Sequence, residues 1–402
     1  MTESHRNGGI ILNSKKSLSF LLILSGLMAS TSLSTDVYLP AMPAMQSNLG
    51  GKSALTVTSF LIGFAIAQLI WGPISDRIGR KKPLFIGMGL FLVGSIGCAV
   101  SPTMGLVIFW RVVQAIGACV GPMLSQAMIR DLYVANKAAE MLSILTVILS
   151  IAPILAPSLG GLLLNVGSWR LIFIFMAIIA AVLLMSVLKL PETLKPENRH
   201  SFPISIVFKR YGQLLKQKTF ALYTASLTLF YVGIYAFITG SSTVYISYFH
   251  VSSQAYGLFF GVNIIGVSLV SLLNRWLLNH YSLSTLMKAS TTIAALSAIV
   301  LMIDGITGFM GIWGIVVPMF FVFSMNGIIT ACATSAALAD VPDDMAGSAA
   351  ALIGSLQYGS GILSSALLAL SNGTPTVMAS IIGVAVTLSA LVAWFSKEQS
   401  NN

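Results

Sequence analysis

The sequence predicts an all-α integral membrane protein, with twelve transmembrane helices in two six-helix bundles around a central cavity. Three observations predict it. Hydrophobic residues fill 56% of 402 positions and charged residues only 8%, with a mean hydropathy of +0.89, so lipid must surround most of the chain. Twelve segments are apolar over roughly 20 residues, the length that crosses a bilayer core of about 30 Å. Basic residues gather in alternate connections between those segments, as they do in a polytopic membrane protein.

In chain order the predicted spans are 18–43, 55–75, 83–101, 104–129, 138–166, 169–190, 219–240, 255–279, 284–303, 310–336, 347–370 and 375–396. Their apolar runs are continuous, whereas the strands of a membrane barrel alternate over about ten residues. Residues 1–17 form a predicted cytoplasmic tail. Lys15 and Lys16 ahead of LSFLLILSGLMAS could open a signal peptide, but the apolar run continues past any cleavage point and the first helix is expected to be retained. The one long connection, 191–218, has no apolar run able to span and is predicted to be a central cytoplasmic loop. It separates bundles at 18–190 and 219–396 of nearly equal length, and a second tail follows at 397–402.

Orientation follows from the 22 Lys and Arg residues. With the N-terminus in the cytoplasm, nineteen fall on the inner side, Lys52 and Arg170 on the outer side, and Arg111 within a span. The net charge of +10 is therefore a topology signal and does not point to nucleic acid. Cys98, Cys119 and Cys332 all fall in spans, with no CxxC pair, and read as packing residues.

Asp36 and Arg111 are the only ionisable residues placed well inside a predicted span. A charge at that depth costs at least about 2.5–3.5 kcal/mol, so each needs a partner or an aqueous cavity. Both lie roughly 10 Å below the outer surface, counting about seven residues from the helix ends, and are expected to be partners. The residues below Arg111 on its helix face, Gln114, Ala118, Cys119, Pro122, Ser125 and Gln126, are small or polar. Asp36 reads as a proton-binding carboxylate whose affinity depends on the approach of Arg111. Alternatively, Arg111 only pins the first and fourth helices together.

GPISDRIGRKK at 72–82 crowds five charges into eleven positions. Gly72 and Gly79 suit a tight turn, Asp76 is placed to cap a helix or pair across to the other bundle, and Arg80 to Lys82 suit an anionic inner leaflet. With the following Pro83-Leu84, the stretch resembles the signature loop of the major facilitator superfamily. STDVYLPAMP, RVVQAIGA, APILAPSLGG and LPETL, at the first, fourth, fifth and sixth helices, resemble its drug/proton antiporter branch and specifically the Bcr/CflA group.

That resemblance implies several roles. Asp36 and Arg111 would serve proton coupling. Gly72, Asp76, Arg77, Gly79, Arg80 and Lys81 would form a cytoplasmic latch favouring the outward-open state. Pro153, Pro157, Gly160 and Gly161 would form the antiporter motif, with Ala156 where glycine is usual. Independently, those prolines and glycines predict a bent, tightly packed fifth helix. A bacterial inner membrane, cytoplasmic termini, lipid contacts and a monomer are the corresponding expectations.

A substrate cavity is expected among Tyr38, Gln114, Gln126, Tyr231, Tyr235, Asn263, Asn326, Gln357 and Tyr358, an aromatic and uncharged lining suited to neutral or planar organic solutes. Gly51-Lys52-Ser53 is not an ATP-binding loop, since the required first glycine would fall at Gln46. No HExxH, GxSxG or Cys-based metal spacing occurs, so neither an enzyme nor a cofactor or metal is expected, the proton gradient being the energy source. The expected function is export of small organic compounds, drugs or drug-like molecules, in exchange for protons. A dedicated exporter of a nucleoside, nucleobase or amino acid, or an uncoupled facilitator, is the alternative.

Overall fold

The structure, a computed structural model, describes residues 14–133, 135–199, 204–342, 345–370 and 373–396. The predicted tails fall outside these residues from 1 to 13 and from 397 to 402. The described chain is helical, in the order α1 (Ser14–Asp36), α2 (Met42–Leu49), α3 (Ala54–Ile78), α4 (Lys81–Val100), α5 (Met104–Ala118), α6 (Val120–Leu132), α7 (Ala135–Val166), α8 (Arg170–Val187), α9 (Ile204–Lys216), α10 (Lys218–Ser242), α11 (Ser253–Leu277), α12 (Leu283–Thr307), α13 (Trp313–Ser324), α14 (Asn326–Leu338), α15 (Ala346–Ala369) and α16 (Pro375–Trp394). Among the described residues, eleven helical runs are long and apolar enough to cross a membrane. The remaining predicted span, 138–166, falls on the 32-residue α7, whose segment Ile151–Val166 is apolar.

Side-chain exposure is inverted relative to a water-soluble domain. Ile66, Val93, Val182, Leu258, Leu272 and Leu296 project outward, while Ser30, Ser34, Thr56, Ser95, Gln114 and Ser125 are buried. Such a surface is compatible only with lipid, and the polar groups inside bond to neighbouring helices or back onto their own carbonyls.

Several spans are interrupted where the sequence gives a local reason. α1 stops at Asp36, and the chain then passes through a 3₁₀ turn (Leu39–Ala41) into α2, with Pro40 and Pro43 denying the backbone donors that a continuous helix would need. The first span therefore runs on to Leu49, past the predicted end at 43. The fourth span breaks at Cys119, between α5 and α6, because Pro122 cannot donate to the carbonyl of Ala118. Thr31 of α1 donates its hydroxyl to that carbonyl instead, at 3.3 Å. The corresponding span of the second half breaks at Met325, between α13 and α14. α10 continues into a π-helical turn, Thr243–Tyr248, followed by His250 with φ +56°.

The long connection at 191–218 is more ordered than predicted. It carries a 3₁₀ turn at Pro196–Asn198 and then α9, while residues 200–203 lie outside the described residues. Tyr211 and Leu214 of α9 are buried, and α9 packs on α10 and α15.

Each half packs within itself, α1 against α6 and α7, α4 against α5 and α8, α10 and α12 against α16. Two helix pairs make the most extensive contacts between the halves, α3 with α15 and α7 with α11. On the first seam Thr58 donates to the hydroxyl of Ser365 at 2.8 Å, and Ser355 donates to the carbonyl of Ala65 at 2.9 Å. The bundle thus has one end carrying Arg80 and an opposite end carrying Lys52.

Candidate functional site

Arg111 sits on α5 with 0% exposure. One terminal nitrogen donates to the carbonyl of Ser34 at 2.9 Å and to Oε1 of Gln114 at 2.6 Å, and Nε donates to the carbonyl of Thr56 at 3.4 Å. The guanidinium carbon lies 4.2 Å from the Tyr38 ring centroid and 4.3 Å from that of Phe60. Carbonyl dipoles and ring faces thus carry the charge, an arrangement that a planar guanidinium accepts and a lysine ammonium does not reproduce. The other terminal nitrogen has no hydrogen-bond partner. Gln114, predicted on the cavity wall, is itself wholly buried and spans from Arg111 to the hydroxyl of Ser95 at 2.8 Å.

Asp36, the last residue of α1, is 6% exposed. The Asp36–Arg111 pair expected from depth alone is not formed: the ion pairs between described residues are those of Arg80. Arg111 is occupied by Ser34, Gln114 and the Tyr38 and Phe60 rings, so the two residues share a depth without sharing a contact. Asp36 instead lies within electrostatic range of Tyr235, Tyr256 and Tyr358, all from the second half.

Tyr235 and Tyr358 belong to an aromatic run across the seam. Phe64 of α3 lies 4.1 Å from Tyr358 of α15, centroid to centroid, and Tyr358 to Tyr235 and Tyr235 to Tyr231 are each 6.1 Å. The Tyr231 hydroxyl is 3.3 Å from that of Thr330, which donates to Oδ1 of Asn326 at 2.6 Å, with Gln357 also in reach of Tyr231. Five of the predicted cavity residues, Tyr231, Tyr235, Asn326, Gln357 and Tyr358, are therefore gathered together. Tyr38 is packed on Arg111, Asn263 is buried and donates to Phe259 of its own helix at 2.9 Å, and Gln126 is exposed on α6.

At the Arg80 end, the charges of 72–82 form a compact network within the first half. Arg80 donates to Asp76 at 2.6 Å, to Ser75 at 2.8 Å and to Asp131 of α6 at 3.0 Å. Burial works against the guanidinium's charge, but Asp131 and then Asp76 more than offset it and hold its pKa above the ordinary value. Glu192, from the LPETL stretch, accepts from the backbone N–H groups of Arg80 at 2.8 Å and Lys81 at 3.2 Å, capping α4. Thr193 donates to Asp131 at 2.9 Å, and Lys81 donates to the carbonyl of Leu188 at 2.8 Å. Gly79 has φ +95°, and a Cβ there would strike the Glu192 carboxylate. The glycine expectation is corrected at Gly72, which lies inside α3 with open space around it. Asp76 pairs with Arg80, four residues on, and not with the other bundle, while Arg77 is exposed. Asp131 and Glu192 were not singled out from sequence, although each lies at a helix end beside basic residues.

In α7, Pro153 and Pro157 are followed by two glycines with different neighbours. A Cβ on Gly160 would meet the carbonyl of Val37 in the first half, and one on Gly161 would meet the carbonyl of Ser253 in the second. Next to them Ser158 lies against Gly257, and Gln254 donates to Asn165. These contacts hold α7 against α11 at the Lys52 end.

Two helical bundles meeting at a seam are the architecture of a membrane transporter, and comparisons with known proteins place this chain among such proteins. The chain belongs to the Major Facilitator Superfamily, whose family model matches residues 22–365. It is 31% identical over 386 residues to an uncharacterized MFS-type transporter, YdgK, of Bacillus subtilis, covering 94% of this chain and 95% of the relative. It is 30% identical over 391 residues to a bicyclomycin resistance protein homolog of Haemophilus influenzae (95% and 96% covered), and 28% identical over 385 residues to multidrug resistance protein D of Escherichia coli (94% of each). The last two carry the drug-resistance names that the Bcr/CflA resemblance anticipated. Among solved structures, a D-xylose–proton symporter superposes with a TM-score of 0.77 at 16% identity (96% of this chain, 99% of that one), and a point mutant of the nucleoside transporter NupG with 0.74 at 16% (93% and 97%). At that identity the shared property is the fold.

Proposed function

We propose that this protein exports small organic compounds, drugs or drug-like molecules, from the cytoplasm in exchange for protons, as a monomer in a bacterial inner membrane with both termini cytoplasmic. The observation that carries the proposal is the position of Asp36: a buried carboxylate at the break of α1, with no ion-pair partner among the described residues. Support for the substrate class comes from the names of the relatives and from the uncharged aromatic cluster, which suits planar organic solutes. The basic cluster at Arg77–Lys82, against Lys52 and Arg170 at the opposite end, supports the orientation.

In this reading the acid alternates between protonated and charged as the two halves rock, and a substrate seated among Tyr231, Tyr235 and Tyr358 is favoured by one of those states. A charged Asp36 must be solvated by water or substrate, whereas a protonated one tolerates closure of the seam. Arg111 acts as a fixed charge binding α1, α3 and α5 together, since its contacts reach all three segments. The Arg80 network braces the cytoplasmic end of the first half. A proton moving inward releases about 2.3 kcal/mol per 100 mV and about 1.4 kcal/mol per pH unit, enough for roughly a hundredfold outward gradient of a neutral solute.

The test uses everted vesicles, energised so that the lumen is acid, with a pH-sensitive dye and a panel of drugs and metabolites. An exported compound should alkalinise the lumen with wild-type protein and leave the pH unchanged with Asp36→Asn. Substrate-driven alkalinisation that persists in Asp36→Asn would falsify the assignment of the coupling residue.

A further inference from the structure

α9 forms a strap at the Arg80 end of the seam, and only part of its apolar surface is covered. Tyr211 and Leu214 are buried, and α9 packs on α10 and α15 of the second half, while the Tyr211 hydroxyl lies 3.5 Å from the carbonyl of Leu69 on α3 of the first. Beside that buried line the sequence repeats a pair, Phe208-Lys209 and Leu215-Lys216, seven residues apart. Seven residues make two helical turns, so Phe208 and Leu215 stand on one line along α9, and Lys209 and Lys216 on a second line next to it. All four side chains are exposed, Phe208 at 53% and Leu215 at 49%, and residues 200–218 include no acidic residue.

The height of α9 decides what meets that face. Leu69, within reach of Tyr211, precedes Asp76, the first charge at this end of α3, by seven residues or about 10 Å along the helix, and Ile66 and Ile70 beside it are exposed. α9 therefore lies at the edge of the apolar belt. There an aromatic and aliphatic line flanked by ammonium groups matches acyl chains on one side and phosphates on the other, whereas a helix face turned to water would carry polar residues at 208 and 215.

From these features we infer that α9 binds anionic phospholipid. Phe208 and Leu215 enter the boundary of the acyl chains, Lys209 and Lys216 donate to headgroup phosphates, and the bound lipid holds the strap in place across the seam. The inference is independent of proton exchange and of the exported compound, and it stands whichever leaflet α9 faces.

The full-length protein, placed one copy per lipid nanodisc, tests it by hydrogen–deuterium exchange over residues 204–216. Exchange should be about tenfold slower in phosphatidylcholine discs containing phosphatidylglycerol than in phosphatidylcholine alone, the scale of two cations at an anionic surface, and the difference should shrink at high salt. Lys209→Gln made together with Lys216→Gln should abolish the difference. Phe208→Ser with Leu215→Ser should speed exchange in both lipids, and because these side chains are exposed the bundle folds without them. Equal exchange in the two lipids, or a phosphatidylglycerol effect that survives replacement of both lysines, would overturn the inference. So would slowing of the same size by inorganic phosphate in detergent, which assigns the lysines to a soluble anion, or slowing confined to discs that hold two copies, which assigns the face to a second chain.

Discussion

Arg111 keeps a buried charge with no carboxylate against it, and the cost is met by carbonyl oxygens, an amide and two aromatic faces. Arg111→Lys preserves the charge but loses the fork and the flat stacking, so we expect a loss of about 2 kcal/mol or more, read as a lower Tm in detergent, and slowed transport. Gln114→Leu should give a smaller loss of the same kind, because it removes one acceptor and leaves Ser95 without its amide donor. The depth of Asp36 and Arg111 was legible in the sequence, since a charge within an apolar run stands out by composition alone. Their separation was not: hydropathy fixes how far along a helix a residue lies, but the rings that pack on Arg111, Tyr38 and Phe60, come from segments that sequence spacing does not relate to it.

Two helices follow one rule, in which a proline releases the carbonyl four residues before it and a hydroxyl from elsewhere donates to the freed oxygen. Pro122 releases Ala118, which is bonded by Thr31, and Pro73 releases Leu69, which lies 3.5 Å from the hydroxyl of Tyr211 on α9. Burial pushes the pKa of that Tyr211 hydroxyl up to about 12, so it stays a donor throughout the physiological range. Thr31→Val should therefore cost about 1 kcal/mol, and Pro122→Ala made in the same chain should recover part of it, as judged by thermal unfolding in detergent. At the next connection, Glu192→Ala should remove the α4 cap and loosen the Arg80 network, lowering stability by about 1–2 kcal/mol, whereas Glu192→Gln should retain much of the capping.

The twelve spans were legible because each needs only length and apolar content; the interruption at Cys119 was not read, although Pro122 lies three residues beyond it. α9 was not read as a helix, because a short amphipathic segment fails a test built on apolar length. Its spacing of Val207, Phe208, Tyr211 and Leu214 would have shown it. Nothing in the sequence marks the matching interruption at Met325.

At the scale of the whole molecule, the halves touch through α3 with α15 and α7 with α11, and small residues set the approach on both seams. Gly161→Val should force α7 away from Ser253 and open the Lys52 end. Cysteines placed at Asn165 and Gln254, linked by a bifunctional thiol reagent, should couple readily in an otherwise wild-type chain and several-fold more slowly with Gly161→Val. An unchanged coupling rate would show that this contact does not hold the end shut. Equal bundle lengths made the two-part architecture readable, but the choice of facing helices was not, since Gly161, Gly257 and Gly354 matter through backbone and side chains that approach from the other half, and Gly361 through Leu61 of that half as well as Tyr235 of its own.

Since cohesion between the halves resides in side-by-side helix faces, the peptide link from one to the other is needed for delivery more than for adhesion. Genes encoding 1–199 and 204–402 as separate polypeptides, made together in one cell, should yield fragments that copurify through a tag on either piece and restore drug tolerance jointly, though neither does so alone.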